Sequence, residues 1–347
     1  MNYPTIPVVF EEKRKEAAIR QDALTKPRGS MGMLEDLSVD IAGMTGEIAP
    51  VLDKRCVFLM AADHGIAREG VSPYPSEVTA QMVMNFLGGG AAINVLTGLS
   101  HSDVTIVDVG VAHEFQPLPG LICRKVAYGT ANMLVQPAMT REEAEAALQA
   151  GMDVVNDAAD RGLKLAAIGE MGIGNTTSAA AITALLCGKD PAEVTGRGTG
   201  LDDAGVQRKI GIIRQVLENR GADPEDPMDV LCKVGGLEIA AMAGAAIAAA
   251  SRRIPVVMDG LISTAAAALA AGMVPGVRDY LIAGHLSPEI GHRYLLDFLG
   301  KKPLLQLGMR VGEGTGAALA FQLIDASLAI LRDMATFESA GISDKNA

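Results

Sequence analysis

Leu165-Ala166-Ala167-Ile168-Gly169-Glu170-Met171-Gly172-Ile173-Gly174-Asn175-Thr176-Thr177-Ser178-Ala179-Ala180-Ala181 decides the fold. A short apolar run passes into a glycine turn, and the turn passes into an alanine-rich stretch that opens with three hydroxyl residues. A run this brief and apolar on both faces suits a buried parallel strand, and the alanine-rich stretch suits a crossover helix. The glycines let main-chain N–H groups approach an anion, and the hydroxyls of Thr176, Thr177 and Ser178 fall where a helix dipole favours negative charge. The turn reads as a phosphate or carboxylate cradle, or alternatively as an ordinary helix cap. It lacks the GK[ST] of a P-loop and the strict GxGxxG fingerprint.

The same unit recurs along the chain. Apolar runs at residues 56–62, 104–109, 165–168, 255–258 and 280–283 alternate with longer amphipathic stretches. DHG follows the first run, DGLISTAAAA the fourth and GHLSPE the fifth. The expected fold class is therefore α/β, a doubly wound, mostly parallel sheet flanked by helices, with these turns gathered at the carboxyl ends of the strands around one cleft. Residues 6–43 and about 315–335 are helical in pattern without a matched strand. They predict a small helical domain from residues 1–45 plus 315–347 beside a large α/β domain at 46–314; two extra helices on the main sheet are the alternative. The last dozen residues read as a frayed tail.

Composition narrows the function. The chain has 347 residues, enough for one large core, and 39 glycines gathered in runs beside apolar segments. A net charge of −11 with no tryptophan excludes coating a nucleic-acid backbone or stacking its bases. Any anionic ligand is met locally, by glycine loops, helix starts and single cations. Cys56, Cys123, Cys187 and Cys232 show no CxxC spacing and predict reduced, mostly buried thiols. The first residues lack the basic-then-apolar order of a signal peptide, and the apolar stretch at 240–250 is far short of a bilayer span of roughly 20 residues. Cytoplasmic location, with no membrane partner, is the expectation.

Two further glycine clusters carry candidate site residues. Gly196-Arg197-Gly198-Thr199-Gly200 precedes a helix with Lys209, and either Arg197 or Lys209 could neutralise a phosphate; a surface loop ending in an Asp cap is the alternative. Gly235-Gly236 reads as close backbone approach at a helix start. Near the C-terminus, Gly312-Glu313-Gly314-Thr315-Gly316 sets one carboxylate among glycines before a long apolar helix. Shielded from water, such a glutamate has a raised pKa and can accept a proton from a bound azole; dipole compensation at a helix start is the bland alternative. Asp63, His64, His285 and His292 lack ligand spacing, so no metal site is assigned. Tyr74 and Gln81 flank an apolar helix start that is either core packing or one wall of an aromatic slot.

Taken together, the stretches KPRGSMGMLEDL, AADHGIAREGVSPYPSEVTAQMVMNFLGGGAAINVL, VDVGVA, GTANM, PAMTREEA, GEMGIGNTTSAAA, TGRGTGLDD, VGGLEIAAMAGA, VVMDGLISTAAA, AGHLSPEIGH and GEGTGAALA, spread over residues 26–330, resemble the nicotinate-nucleotide–dimethylbenzimidazole phosphoribosyltransferase family of cobalamin lower-ligand synthesis. That resemblance implies phosphoribosyl transfer from nicotinate mononucleotide to 5,6-dimethylbenzimidazole, with inversion, giving α-ribazole 5′-phosphate and nicotinate. It implies Glu313 as the base and Glu170 as a second carboxylate near the ribose. It further implies Gly174, Asn175, Thr176 and Thr177, helped by Arg197, Gly198 or Gly236, on the phosphate. Tyr74, Gln81, Met171 and Val311 would line the slot for the base. Pro73 stands where the family is expected to carry a small, often polar residue, which bears on the choice of base. The resemblance implies no metal or redox cofactor, small-molecule substrates as the partners, and a homodimer of the two-domain architecture described above. Two other readings remain: a paralogue using adenine, another purine or a phenol, and a nucleotide-binding regulatory protein on the same fold.

Overall fold

The computed structural model describes residues 1–343. Six parallel strands form one sheet: β1 (Arg55–Ala62), β2 (Asp103–Gly110), β3 (Leu121–Cys123), β4 (Leu165–Met171), β5 (Val256–Met258) and β6 (Leu281–Ala283), in the order β3-β2-β1-β4-β5-β6. The order reverses between β1 and β4, so the two chain crossovers leave this edge in opposite directions and open a crevice at the strand carboxyl ends. Register puts Met60 opposite Glu170 and Ala61 opposite Met171, which sets Glu170 at the rim of that crevice.

All five expected runs are strands, and helices flank the sheet. β3 was not expected: three residues after Pro117 and Pro119 give no apolar run to read, and its pairing to β2 at the sheet edge is what makes it a strand. The strands are built from residues that bury both faces, with β1 buried from Cys56 to Ala62. Helix Leu237–Ser251 is buried along nearly its whole length and packs on helix Arg141–Asp160, where Gly244 meets the Leu148 backbone and Gly151 meets the Ala241 backbone. A methyl group at either glycine would collide, so the alanine and glycine content here is a requirement of close helix approach.

The terminal segments meet. Helices Glu11–Ala23 and Met33–Thr45 pack together and against helix Thr315–Asp333, with Gln21 donating to the Ser38 hydroxyl at 2.8 Å and Thr25 N–H donating to the Ala335 carbonyl at 3.0 Å. Phe321, Ile324 and Leu328 of the same C-terminal helix also join the core around the sheet. The expected frayed tail lies in part outside the described residues; its described part includes a short helix, Phe337–Ala340.

Two differences concern expected burial and length. Only Cys56, in the central strand β1, is buried; Cys123, at the end of the edge strand β3, is exposed, and Cys187 and Cys232, on the flanking helices Asn175–Cys187 and Pro227–Val234, are half-buried. The stretches Glu77–Leu99 and Thr315–Asp333 are long and apolar enough by composition to cross a membrane, unlike the 15-residue helix Leu237–Ser251. The first is broken at Gly88, Gly89 and Gly90 into two helices, and the second spends its apolar face on the protein core.

Candidate active site

The turns after β4, β5 and β6 converge with the loop before helix Thr315–Asp333. Together they line a narrow cavity of about 100 Å³ through Glu170, Met171, Asn175, Thr176, Gly198, Asp259, His285, Glu289, Val311 and Glu313, among others. A wider hollow of about 460 Å³, carrying Arg197 and Gln207, adjoins it and shares Glu289 and Arg310. The DHG turn after β1 lies one layer behind, with His64 buried against Glu238. Three of the four expected turns therefore face the cavity and the fourth supports it.

The turn expected to cradle an anion leads into helix Asn175–Cys187, whose N-cap Gly174 takes a left-handed backbone that no side chain favours. Lys209, fully buried, donates from Nζ to the Thr176 hydroxyl at 2.8 Å. Burial pushes its pKa down to about 8, against a smaller opposing pull from Glu289. Glu289 in turn accepts the Gly198 N–H at 2.9 Å, and Arg310 donates to the Gly198 carbonyl at 3.1 Å. Of the two cations weighed for this loop, Lys209 is the one that reaches the cradle. Arg197 pairs with Asp203 and donates to the Leu201 carbonyl at 2.9 Å.

Four carboxylates line the cavity, Glu170, Asp259, Glu289 and Glu313. Glu170 is buried, accepts from the Asn175 amide, and has its pKa raised to about 8, first by burial and then by the like charges of Glu238 and Asp259. Amides from Asn175 and the Glu313 main chain pull the other way. Glu313 is also raised, first by burial; the Ile93 N–H lowers it and Asp259 raises it.

The backbone that presents Glu313 is unusual. Gly312, Glu313 and Gly314 have φ values of 81°, 64° and 89°, three left-handed residues in a row. That conformation costs a non-glycine residue roughly 1–2 kcal/mol, so the flanking positions are glycine and the strain falls on Glu313 alone. Asp259 holds the loop, accepting Gly314 N–H at 3.1 Å and Gly316 N–H at 2.7 Å. His285 Nε2 lies 3.2 Å from Asp259 Oδ1, and its Nδ1 has no hydrogen-bond partner among the described residues.

The expected site residues divide accordingly. Glu170, Met171, Asn175, Thr176, Gly198, Val311 and Glu313 line the cavity together, and Gly174 caps the cradle helix. Thr177 is fully buried behind it. Gly236 lies deeper, packed on the ring of His64. Tyr74 and Gln81 are exposed outside the cavity, although Ser72 of the same loop touches the Thr199 hydroxyl at 3.3 Å. Sequence reading had not singled out Asp259, Glu289 or Arg310, nor assigned His285 a place in the site. The signal was present, since Asp259 and His285 stand directly after β5 and β6, where a crevice residue belongs. Among the described residues no three His, Cys, Asp or Glu side chains gather as a metal set.

An open parallel sheet with a buried lysine at a glycine-framed helix start and shielded carboxylates at its switch point has the features of a group-transfer enzyme. A family model described as phosphoribosyltransferase matches residues 6–342. The nicotinate-nucleotide–dimethylbenzimidazole phosphoribosyltransferase of Desulforudis audaxviator (strain MP104C) is 55% identical over 329 residues, 95% of this chain and 93% of that one. Its namesake from Chloroflexus aggregans (strain MD-66 / DSM 9485) is 54% identical over 326 residues, 94% and 92% of the two chains. The crystal structure of CobT from Thermus thermophilus superposes with a TM-score of 0.92 at 48% identity, covering 96% of this chain and 99% of that one. The chain belongs to the nicotinate-nucleotide–dimethylbenzimidazole phosphoribosyltransferase family, and so to the pentosyltransferases.

Proposed function

We propose that this enzyme moves the phosphoribosyl group of nicotinate mononucleotide to 5,6-dimethylbenzimidazole, serving cobalamin lower-ligand synthesis in the cytoplasm. The observation that carries this reading is the convergence of Glu170 and Glu313 on one cavity beside the Thr176–Lys209 cradle. The 5′-phosphate sits on the start of helix Asn175–Cys187, with Lys209, the Thr176 hydroxyl and the Gly198 loop as its partners. One azole nitrogen attacks C1′ as the bond from C1′ to the nicotinate nitrogen breaks, and the pair of electrons leaves with nicotinate. Glu313 takes the proton from the other azole nitrogen, a task suited to a carboxylate whose pKa burial has raised. Glu170 faces the positive charge that develops on the ribose ring. His285 Nδ1 and the Glu289 carboxylate are acceptors for ribose hydroxyls.

Met171 and Val311 form apolar walls for the acceptor base. Tyr74 reaches it only if the exposed loop around Pro73 folds toward Thr199, and Gln81 stands on the exposed face of the helix that follows, Glu77–Leu87. The test is the anomeric configuration of the product by proton NMR. An α-nucleotide supports single displacement with inversion, and a β-nucleotide refutes it.

We further propose a homodimer in which helix Ala92–Leu99 meets its partner through Val95 and Leu99, both largely exposed. Val95→Glu with Leu99→Glu should then halve the mass measured in solution; an unchanged mass rules this contact out.

A further inference from the structure

Behind the cradle lies a buried couple that the proposed reaction does not use. His64, from the end of β1, places Nε2 2.6 Å from Oε1 of Glu238, at the start of helix Leu237–Ser251, and neither side chain has any exposure. On its other side His64 Nδ1 lies 3.1 Å from the Ser178 hydroxyl, which donates to the Gly235 carbonyl at 3.1 Å. A hydroxyl has one proton, so with that proton on Gly235 the serine accepts from His64, and Nδ1 carries a hydrogen. The 2.6 Å contact to Glu238 then holds a second proton, shared between ring nitrogen and carboxylate. Whichever partner carries it, the couple as a whole is neutral.

This couple forms the floor of the glycine turn. A methyl group on Gly172 would come within 3.3 Å of Glu238 Oε1 and 3.4 Å of the His64 ring, and one on Gly174 within 3.2 Å of His64 Cβ. Gly236 closes on the ring from the far side. The turn that carries Met171, Ile173 and Asn175 into the cavity thus rests directly on His64 and Glu238, while Ser178 ties them to the cradle helix.

We propose that His64 and Glu238 act as a proton-sharing positioning couple, which seats the 172–174 turn and sets the charge that Glu170 experiences. The inference rests on the reading above in which Glu170 works as a carboxylate. Glu170 is faced by Glu238 from helix Leu237–Ser251 and by Asp259 from the turn after β5, both acidic. Opposing them are the Asn175 amide of the cradle helix and the Glu313 main-chain amide of the C-terminal loop. Asp259 is itself paired with His285, and Lys209 stands at the neighbouring Thr176. Of these charges, Glu238 weighs most on Glu170, and His64 is its direct partner. Losing the shared proton leaves a bare carboxylate behind Glu170 and makes it harder to ionise.

The test follows nicotinate release from nicotinate mononucleotide with dimethylbenzimidazole as a function of pH, in wild type, His64→Gln, Glu238→Gln and the double variant. His64→Gln should move the acid limb of kcat upward by about one pH unit, and Glu238→Gln, which removes the carboxylate without changing the net charge of the couple, should move it downward by a smaller amount. The double variant should fall between them. Lower kcat with all limbs superimposed on wild type would mean support of the fold alone and would overturn the proposal. Should His64→Gln fail to fold, Glu238→Gln decides by the same criterion. An independent arm uses wild type labelled with ¹⁵N-histidine: an His64 ring protonated at Nδ1 is expected, and an Nδ1 without hydrogen contradicts the couple. Absence of azole-dependent release in the wild type counts against the proposed reaction, and the labelled ring then decides on the couple by itself.

Discussion

The main-chain N–H of Ile93 donates to Oε2 of Glu313 across 3.2 Å, so the proposed base sits at the amino end of helix Ala92–Leu99. The helix favours the charged carboxylate while burial disfavours it, and burial is the larger effect. Gln at 313 keeps an oxygen for Ile93 and loses the capacity to take a proton. E313Q should therefore fold, bind nicotinate mononucleotide nearly as wild type, and turn over roughly 10² to 10⁴ more slowly. Calorimetric affinity and steady-state rates measure both halves, and equal rates would remove Glu313 from the mechanism.

Asp259 holds Glu313 in a conformation that Glu313 alone resists. Asp259→Ala removes the acceptor of Gly314 and Gly316 N–H groups, which are buried, and each unsatisfied donor costs about 1–3 kcal/mol. The variant should lose both stability and kcat, with KM for the nucleotide little changed. Thermal melts and initial rates check this; a stable variant with full kcat would show that the left-handed loop holds itself.

Gly169 tests the same loop from the strand side. A methyl group there would run into the carbonyl and main chain of Glu313, neither of which is a flexible end. Gly169→Ala should displace the base on the order of an ångström and cost about 10² in kcat. A wild-type kcat would show that the loop yields without loss.

Ionisation of the site carries a stability cost with a defined sign. Glu170 has a folded pKa of about 8 against an ordinary value of 4.5, so the folded state binds more protons between those limits and stability falls as pH rises through that window. Above about pH 8 the cost is complete. E170Q abolishes it, so the difference in Tm between E170Q and wild type should grow from pH 5 to pH 8. Lys209 behaves in the opposite window: its folded pKa of about 8 lies below the ordinary 10.5, so stability is regained as pH rises from 8 to 10.5. Affinity for the nucleotide phosphate should fall as pH rises above about 8, and K209M should remove that dependence. Titration calorimetry at several pH values measures it.

Much of this was legible in the sequence because strands buried on both faces leave short apolar runs, and the turns after them leave glycine and acid. β3 left no such trace, since pairing at a sheet edge defines it. Glu170, Asn175, Thr176 and Glu313 could be read because glycines frame them. Asp259 left a weaker signal, a lone acid just past a strand end, and Glu289 left none, since an acid directly before a helix such as Ile290–Leu299 reads as an ordinary helix start. Lys209 and Arg197 were equivalent candidates on spacing; burial separates them, placing one on Thr176 and leaving the other outside on Asp203. Tyr74 and Gln81 were read as core packing or one wall of a slot; Tyr74 stands on an exposed loop whose course no periodicity encodes, and Gln81 on the exposed face of helix Glu77–Leu87.

Nicotinate release from nicotinate mononucleotide by the purified enzyme, with dimethylbenzimidazole, other benzimidazoles, adenine and p-cresol supplied separately, tests the proposed transfer most directly. Release that requires an azole, fastest with dimethylbenzimidazole, is the predicted result. Release only with adenine or p-cresol would keep the displacement and contradict the acceptor, and no release with any acceptor would contradict the reaction itself.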